Sequence, residues 1–482
     1  MAKDVDKTKC AFELEPLTSV KVKENVTNHE KSALQIIAIL TGSLGGLTCG
    51  MFVAWPSPFL LKIVEDKINY DITEQQASFF AVFSIVGVVV LTPLFIPLVN
   101  RIGTKKAIIL SSIPYIAVWL IKAYVTNLYG LYGARLLVGC ADALVLSCLP
   151  VYIGEIATPK IRGLWGNAFI CSLFTGQCLV NILGAYLSVK TTSLISVFIP
   201  VLLLAIFPFM PNSPYFCIAK GRHEEAKQNL RRLRQKTDIE EEFKAIEAAV
   251  QRQLSESGSW KDLFSIRTNR KALFAAFFLR NSQLWGGMMT FAAYTQFIFI
   301  KSGTNVDPKI SAIIYTAVSC ISHTCSSLLS NKLGRRRAFM FSTFLAAIVL
   351  SFEAAFFLIS DYYTDVNLES IQWFPLVGLV LYLLFCSFGL GTVPPLMLGE
   401  LFSASVKTKA VAIVTSSFGL TGITVNNIFY YLFTYTGLFG PFLLFAAFNF
   451  LASLASFWIV PETKGKTLEE IQQMLKNKKN YK

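Results

Sequence analysis

Two stretches, PVYIGEIATPKIRG at Pro150–Gly163 and PLMLGELFSASVK at Pro395–Lys407, follow one spacing. In each, five residues separate a proline from an acid (Pro150 to Glu155, Pro395 to Glu400) and seven more separate the acid from a base (Arg162, Lys407). Each closes a long apolar segment, and upstream of each stands a glycine-basic turn, RIGTKK at Arg101–Lys106 and KLGRRR at Lys332–Arg337. The pattern reads as a duplication. Gly103 and Gly334 are 231 positions apart, Glu155 and Glu400 245, and the prolines of PNSP (Pro211) and PETKG (Pro461) 250, so the second copy has the longer connections, chiefly around Ser360–Gln372.

The material between these marks is apolar. Of 482 residues 54% are hydrophobic and only 15% charged, too oily a composition for a soluble globule. Runs of about 20 apolar residues, the length a helix needs to cross a hydrocarbon core, recur about a dozen times. They are placed at 34–55, 76–98, 107–125, 129–152, 167–187, 194–210, 272–299, 310–329, 338–359, 373–398, 410–433 and 439–460. None alternates polar with apolar residues as a barrel strand would, so an all-α membrane protein of twelve spans is expected, in two pseudo-symmetric six-helix bundles.

Lys and Arg gather in alternate loops: Arg101, Lys105 and Lys106; Lys160 and Arg162; 220–271; Lys332 and Arg335–Arg337; Lys407 and Lys409; and the tail after Lys464. By the positive-inside rule those loops and both termini are cytoplasmic. The formal charge of +14 therefore reads as topology and not as nucleic-acid binding. Residues 1–32 are polar, without the apolar core of a cleavable signal, which leaves targeting to the first span. Asn25-Val26-Thr27 fits a glycosylation acceptor but falls on the cytoplasmic side, and the ten cysteines are scattered without zinc or disulfide-framework spacing. The organisation expected is a tail (1–32), a six-helix bundle (33–210), a connector (211–270), a second bundle (271–460) and a second tail (461–482). Leu230, Leu233, Ile239, Phe243 and Ile246 recur at helical spacing in the connector, which predicts short amphipathic helices under the bundle.

At these residues the chain resembles the sugar porters of the major facilitator superfamily from about Leu34 to Ile471, and is most similar to the insect facilitated trehalose and glucose transporters. RIGTKK and KLGRRR resemble the loop signatures after the second and eighth helices. Arg135, Gly139, Pro150, Tyr152, Glu155, Arg162 and Gly163 fit the fourth-helix pattern, and PNSPYF with KGRHEEA (Pro211–Ala226) and PETKGKTLEEI (Pro461–Ile471) resemble the two terminators. The resemblance implies facilitative, alternating-access transport of a hexose or trehalose-like sugar across the plasma membrane, without cofactor or covalent chemistry; lipid and solute are the only partners indicated. It also implies that charges at the cytoplasmic helix ends (Arg101, Glu155, Arg162, Arg335, Arg336, Glu400, Lys407) join the bundles by ion pairs when the inner side is closed. The acids that often precede the basic residues in these loops are Asn100 and Asn331 here.

Ionisable residues inside a span are costly and usually face the bundle interior, which singles out Arg135, Asp142, Arg280, His323 and Glu353. Arg135 matches the family's fourth-helix arginine and either locks helices, as part of the gating set, or touches the solute. Asp142 has no family counterpart and reads equally as a hydrogen bond between helices; His323 reads first as a packing histidine. The seventh segment, LRNSQLWGGMMTFAAYTQFIFIKSG (279–303), resembles the family's QQLSGINAV, with Gln283 on the first glutamine, Gly287 on the glycine and Tyr294 on the tyrosine that follows. Arg280, Gln283, Gly287 and Tyr294 would share one helix face, a polar stripe beside a solute cavity; a glycine packing face is the plainer alternative.

Several family positions differ: the second glutamine is Leu284, the asparagine Met289, the fifth-helix glutamine Ile170 and the tenth-helix tryptophan Pro395, and the eighth helix has no asparagine. Arg280 could meet an anionic solute or pair with Asp142. Proton-linked relatives carry an acid where Met51 and Phe52 stand, which favours facilitated diffusion, with Asp142 keeping a proton-linked route open. The rival readings are an organic-anion carrier and a non-transporting sensor; no nucleophile–base set, metal cluster or nucleotide loop suggests an enzyme.

Overall fold

The computed structural model describes residues 33–236, 238–255, 259–303, 305–362, 369–402, 404–464, 466 and 468–476. Among them there is no strand. The tail before Ala33, with Asn25, lies outside the described residues.

The helices are α1 (Ala33–Ala54), α2 (Pro56–Glu65), α3 (Glu74–Ile102), α4 (Thr104–Tyr124), α5 (Leu128–Ile156), α6 (Pro159–Trp165), α7 (Ala168–Tyr186), α8 (Val189–Ser196), α9 (Phe198–Ile206), α10 (Pro214–Ala219), α11 (His223–Arg234), α12 (Glu240–Ser255), α13 (Trp260–Ser265), α14 (Arg267–Trp285), α15 (Met288–Lys301), α16 (Pro308–Leu333), α17 (Arg335–Tyr362), α18 (Phe374–Phe388), α19 (Val393–Glu400), α20 (Ala404–Thr436), α21 (Phe439–Ile459) and α22 (Leu468–Lys476). Polar side chains start several of them. Thr73 and Gln76 form a reciprocal capping box at α3, and Asn127, Ser188 and Asp307 cap α5, α8 and α16.

Among the described residues, ten helical units are long and apolar enough to cross a bilayer: α1, α3, α4, α5, α7, α8 with α9, α17, α18 with α19, α20 and α21. The chain is an all-α, multi-pass membrane protein. The two further spans expected, at 272–299 and 310–329, are not among them. α14 opens with Arg267, Arg270 and Lys271 and carries Arg280, while the second run continues past Ser326 into side chains outside the described ones. The 272–299 run is also not one helix: it breaks at Gly286–Gly287, where Gly287 adopts φ +95°, a conformation a side chain would strain.

The duplication is legible in the backbone. Gly103, between α3 and α4, has φ 88° and ψ 161°; Gly334, between α16 and α17, has φ 87° and ψ 159°. Neighbouring helices approach closely at small residues. A Cβ on Gly50 would collide with the Leu173 carbonyl and one on Gly176 with the Leu47 carbonyl, joining α1 to α7, while Gly87 and Gly139 join α3 to α5 in the same way. Between the two copies of the repeat, α3 packs on α20, α7 on α16 and α2 on α15.

The connector is helical, and α10, α11 and α12 enclose a small core of their own, with Cys217, Ile218, Leu230, Phe243, Ile246 and Val250. It is tied to the first half of the chain by one side chain used twice: Gln35 Nε2 donates to the Leu233 carbonyl (2.8 Å) and its Oε1 accepts from Thr158 N (3.0 Å). Arg234 adds a bond to the Ile156 carbonyl (2.8 Å). At the other end, Lys271 of α14 donates to the Leu475 carbonyl of α22 (2.7 Å).

Candidate functional site

The break in the 272–299 run sets the geometry of the site. Where a helix is interrupted in a membrane its carbonyls need new donors, and Gly286 O receives two, from Tyr382 Oη (2.7 Å) and Asn449 Nδ2 (3.1 Å). Neither residue stands out in the sequence, because a donor to a broken helix has no spacing of its own. Just before the break, Gln283 Nε2 donates to the carbonyls of Leu390 (2.9 Å) and Gly391 (3.2 Å), in the non-helical turn between α18 and α19. Its Oε1 accepts from Arg280 Nη1, and the Arg280 guanidinium lies 4.1 Å from the Phe418 ring centroid. Arg280 and Gln283 therefore act together, and Asp142 is not the partner of Arg280.

The break also corrects the expected polar stripe. Gly287 turns the chain, so Tyr294 belongs to a different helix from Arg280 and Gln283, and its own φ of −112° and ψ of 16° interrupt α15 again. Its hydroxyl reaches across to the first half and donates to the Ser78 carbonyl of α3 (3.1 Å). Two residues on, Gln296 N donates to Ser57 Oγ of α2 (3.3 Å). Tyr294 thus ties the two copies of the repeat together at the face formed by α2 and α15.

In the first half, Arg135 is 2% exposed, midway along α5. Phe52 would normally share its carbonyl with the amide four residues on, but that residue is Pro56, which has no N–H. Arg135 Nη1 supplies the missing donor (2.9 Å), Nε donates to Phe80 O (2.6 Å) and Nη2 to Ser84 Oγ (3.0 Å), so one guanidinium joins α1, α3 and α5. Asp142 accepts from Tyr115 Oη (2.6 Å), a bond between neighbouring helices, one of its two equal readings. Lys122, which the sequence reading passed over as a helix end, is 1% exposed with Nζ 3.4 Å from the Trp55 ring centroid and 4.7 Å from that of Phe52. Its position inside a span was the available signal.

The charges expected to join the bundles when the inner side is closed have the following partners. Arg335 pairs with Glu400 (3.1 Å), whose other oxygen accepts from Thr463 Oγ1. Glu462 caps α17 by accepting from the amides of Arg335 (2.9 Å) and Arg336 (3.2 Å), and the Arg336 guanidinium lies 4.4 Å from the Phe457 ring centroid. Lys407 donates to Gly399 O (3.0 Å). In the first copy Arg162 donates to the Gly154 and Ala157 carbonyls, Glu155 sits beside the hydroxyls of Ser213 and Thr104, and Arg101 is exposed. The Arg335–Glu400 ion pair thus joins two groups of the second half, and Arg162 and Lys407 each bond carbonyls of their own half.

Residues 15–475 match the family model described as "Sugar (and other) transporter". This chain belongs to the sugar (and other) transporter family. Membership makes it a carrier and not an enzyme. It is 27% identical over 476 residues to the facilitated trehalose transporter Tret1 of Apis mellifera ligustica, a match covering 96% of this chain and 93% of that one, and 28% identical over 477 residues to Tret1 of Bombyx mori (98% and 93%). Its fold is that of the inward-open xylose transporter XylE from E. coli, with a TM-score of 0.76, 19% identity, and coverage of 91% of this chain and 99% of that one. XylE bound to 6-bromo-6-deoxy-D-glucose, a proton:xylose symporter of the major facilitator superfamily, superposes with a TM-score of 0.74. The family's fold is thus present along nearly the whole chain.

Proposed function

We propose that the chain equilibrates a sugar, a hexose or a trehalose-like disaccharide, across the plasma membrane by alternating access. The single observation that carries this reading is the asymmetry between two faces. At the α2–α15 face, Tyr294–Ser78 and Gln296–Ser57 bond the halves to each other, whereas at the opposite end Arg335 pairs with Glu400 of its own half and Arg162 bonds the Gly154 and Ala157 carbonyls of its own. A carrier closed on one side and parted on the other has this arrangement; rocking would break the first set and bring the second together. The family match and the relatives named as facilitated trehalose transporters support a sugar as the solute.

In this reading the polar α14–α15 pair and α16 are the seventh and eighth of twelve spans, polar because they border the solute path. Residues 33–210 and 271–460 are the two six-helix bundles, 211–270 the connector, and 1–32 and 461–482 tails that, like the connector, are cytoplasmic. Gln283, Arg280, Gly287 and Asp142 line or support the solute path. Tyr294 seals its outer end and Arg135 holds the first bundle together, while Arg101, Glu155, Arg162, Arg335, Arg336, Glu400 and Lys407 form the inner gate. The test is uptake of labelled glucose and trehalose by purified protein in liposomes with no ion gradient. Equilibration is expected; uptake that needs an inward proton gradient would overturn the facilitative assignment and turn attention to Asp142.

A further inference from the structure

His323 lies between the two helix breaks. Its side chain is on α16 in the second half, and the ring of Phe174, on α7 in the first half, packs edge-on against it with centroids 3.8 Å apart. The same two helices meet on either side of that contact, through Thr175 Oγ1 and Cys320 Sγ (3.4 Å) and through Thr324 Oγ1 and Cys171 Sγ (3.4 Å), so His323 sits in the seam between the copies. Its third neighbour is the α18–α19 turn. A Cβ added to Gly391 would lie 3.2 Å from His323 Cε1 and 3.2 Å from Met288 Cε, so the glycine lets the turn pass close to the imidazole. The carbonyl of that same Gly391 accepts from Gln283.

His323 is 4% exposed, and among the described residues neither ring nitrogen has a hydrogen-bond partner. A packing histidine in a membrane normally gives one nitrogen to a helix carbonyl or hydroxyl, since a buried donor or acceptor left unmade is costly. Hydroxyls are close by, yet they bond elsewhere: Ser326 Oγ donates to the His323 backbone carbonyl (2.8 Å) and pairs with Thr392 Oγ1 (2.9 Å).

We infer that His323 is a solute-contacting, specificity-determining residue that hydrogen-bonds a hydroxyl of a neutral polyol, with Gln283 and Phe174 beside it. The inference rests on the sugar-carrier reading and adds the chemical class its site selects. A neutral imidazole presents one donor and one acceptor, and a hydroxyl can do either, so the match holds in both tautomers. A carboxylate, which only accepts, would satisfy one nitrogen at most. Because Phe174 comes from the other half, a solute held here touches both halves at once, which is what couples occupancy to rocking.

The experiment uses the full chain in liposomes with His29 and His223 changed to Gln, which leaves His323 as the sole imidazole of the three in the sequence. His323→Leu is expected to raise the KM for labelled glucose or trehalose on the order of tenfold, with His323→Gln recovering to within about threefold, as loss and return of one hydrogen bond require. Saturating sugar is also expected to slow modification of His323 by diethyl pyrocarbonate, read by mass spectrometry, which a packing role would not produce. An unchanged KM in His323→Leu, equal losses in the Leu and Gln variants with unaltered melting, or labelling indifferent to sugar would each overturn the assignment while leaving sugar transport standing. Failure of the parent protein to take up any sugar would overturn both.

Discussion

The hydroxyl of Tyr294 donates to the backbone carbonyl of Ser78 at 3.1 Å, a bond between residues 216 positions apart and in opposite copies of the repeat. Tyr294 also stacks on Phe429 (centroids 5.1 Å), so its ring is fixed from its own half while its hydroxyl reaches the other. Tyr294→Phe keeps the stack and deletes the tie. The loss is about 1 kcal/mol, which moves a two-state ratio about fivefold toward separation of α2 from α15. Spin labels on the exposed residues Asp71 and Lys309 should show a larger long-distance population in the variant; an unaltered distribution would mean that Tyr294 is not part of the seal.

Arg135 has a structural task that follows from Pro56. With three bonds from a side chain 2% exposed, its removal leaves the Phe52 carbonyl without a donor and opens a hole between α1, α3 and α5. Arg135→Leu is expected to destabilise the folded protein by about 3 kcal/mol or more, since breaking a buried, multiply bonded charge strands its partners. Arg135→Lys should recover only part, because an ammonium lacks the planar fork that spans three acceptors. Thermal unfolding in detergent, followed by size-exclusion fluorescence, ranks the three proteins; equal melting temperatures would contradict the role.

The repeat and its consequences were legible because they rest on local chemistry. A glycine between two helices is readable, and Gly103 and Gly334 have nearly the same φ and ψ. What escaped was long-range. Gly287 reads as part of a polar stripe or of a packing face, but the change of direction that separates Tyr294 from Gln283 follows from its positive φ, and no periodicity carries that angle. Arg135 reads from sequence as a helix lock or a solute contact alike, because two of its three partners are backbone carbonyls, which every residue has. Thr463 and Ser213, each two residues past the proline of a terminator motif, stand beside Glu400 and Glu155 respectively; the 250-position offset of the two prolines relates the pair, but which acid each hydroxyl meets is set by the packing.

The connector should carry an acid-side sensitivity. The Glu225 carboxyl accepts from Asn212 Nδ2 (2.7 Å), and that bond, followed by the one from Arg222, holds its pKa below the ordinary carboxylate value. A depressed folded pKa contributes stability that is present above the unfolded value of about 4.3 and is lost as pH falls through the folded one. Glu225 is partly exposed, so the effect is modest and local. Hydrogen exchange at the start of α11 is expected to quicken, after correction for intrinsic rates, as pH is lowered through that window, and Asn212→Ala should flatten the change. A pH response identical in both proteins would remove Glu225 from the account.

The Arg335–Glu400 pair has side chains 14% and 28% exposed, so it is neither a surface pair nor a fully buried one. A double-mutant cycle with Arg335→Gln and Glu400→Gln should give a coupling of about 1 kcal/mol in unfolding free energy. Thr463→Val, which deletes the hydroxyl bonded to Glu400, should reduce that coupling because the carboxylate loses its orienting donor. Additive single effects would show that the two residues share a location and no interaction.

Gln283 is where binding and structure are hardest to separate, and the geometry offers a way to do it. Its Nε2 holds two carbonyls of the α18–α19 turn while its Oε1 takes a proton from Arg280, so the amide is saturated by protein on both sides. Gln283→Leu strips donors from Leu390 and Gly391 and leaves Arg280 against Phe418 without its acceptor. Gln283→Glu keeps an acceptor for Arg280 but cannot donate to the turn. If the amide serves mainly to hold the turn, both variants should raise KM by a similar factor, on the order of tenfold for one or two lost hydrogen bonds, because either lets Gly391 move away from His323. If it serves mainly to position Arg280, Gln283→Glu should stay near the parent while Gln283→Leu falls. The geometry, with two bonds to the turn and one to Arg280, favours the first outcome. Sugar uptake kinetics of the two variants, measured beside Arg280→Gln, decide between them.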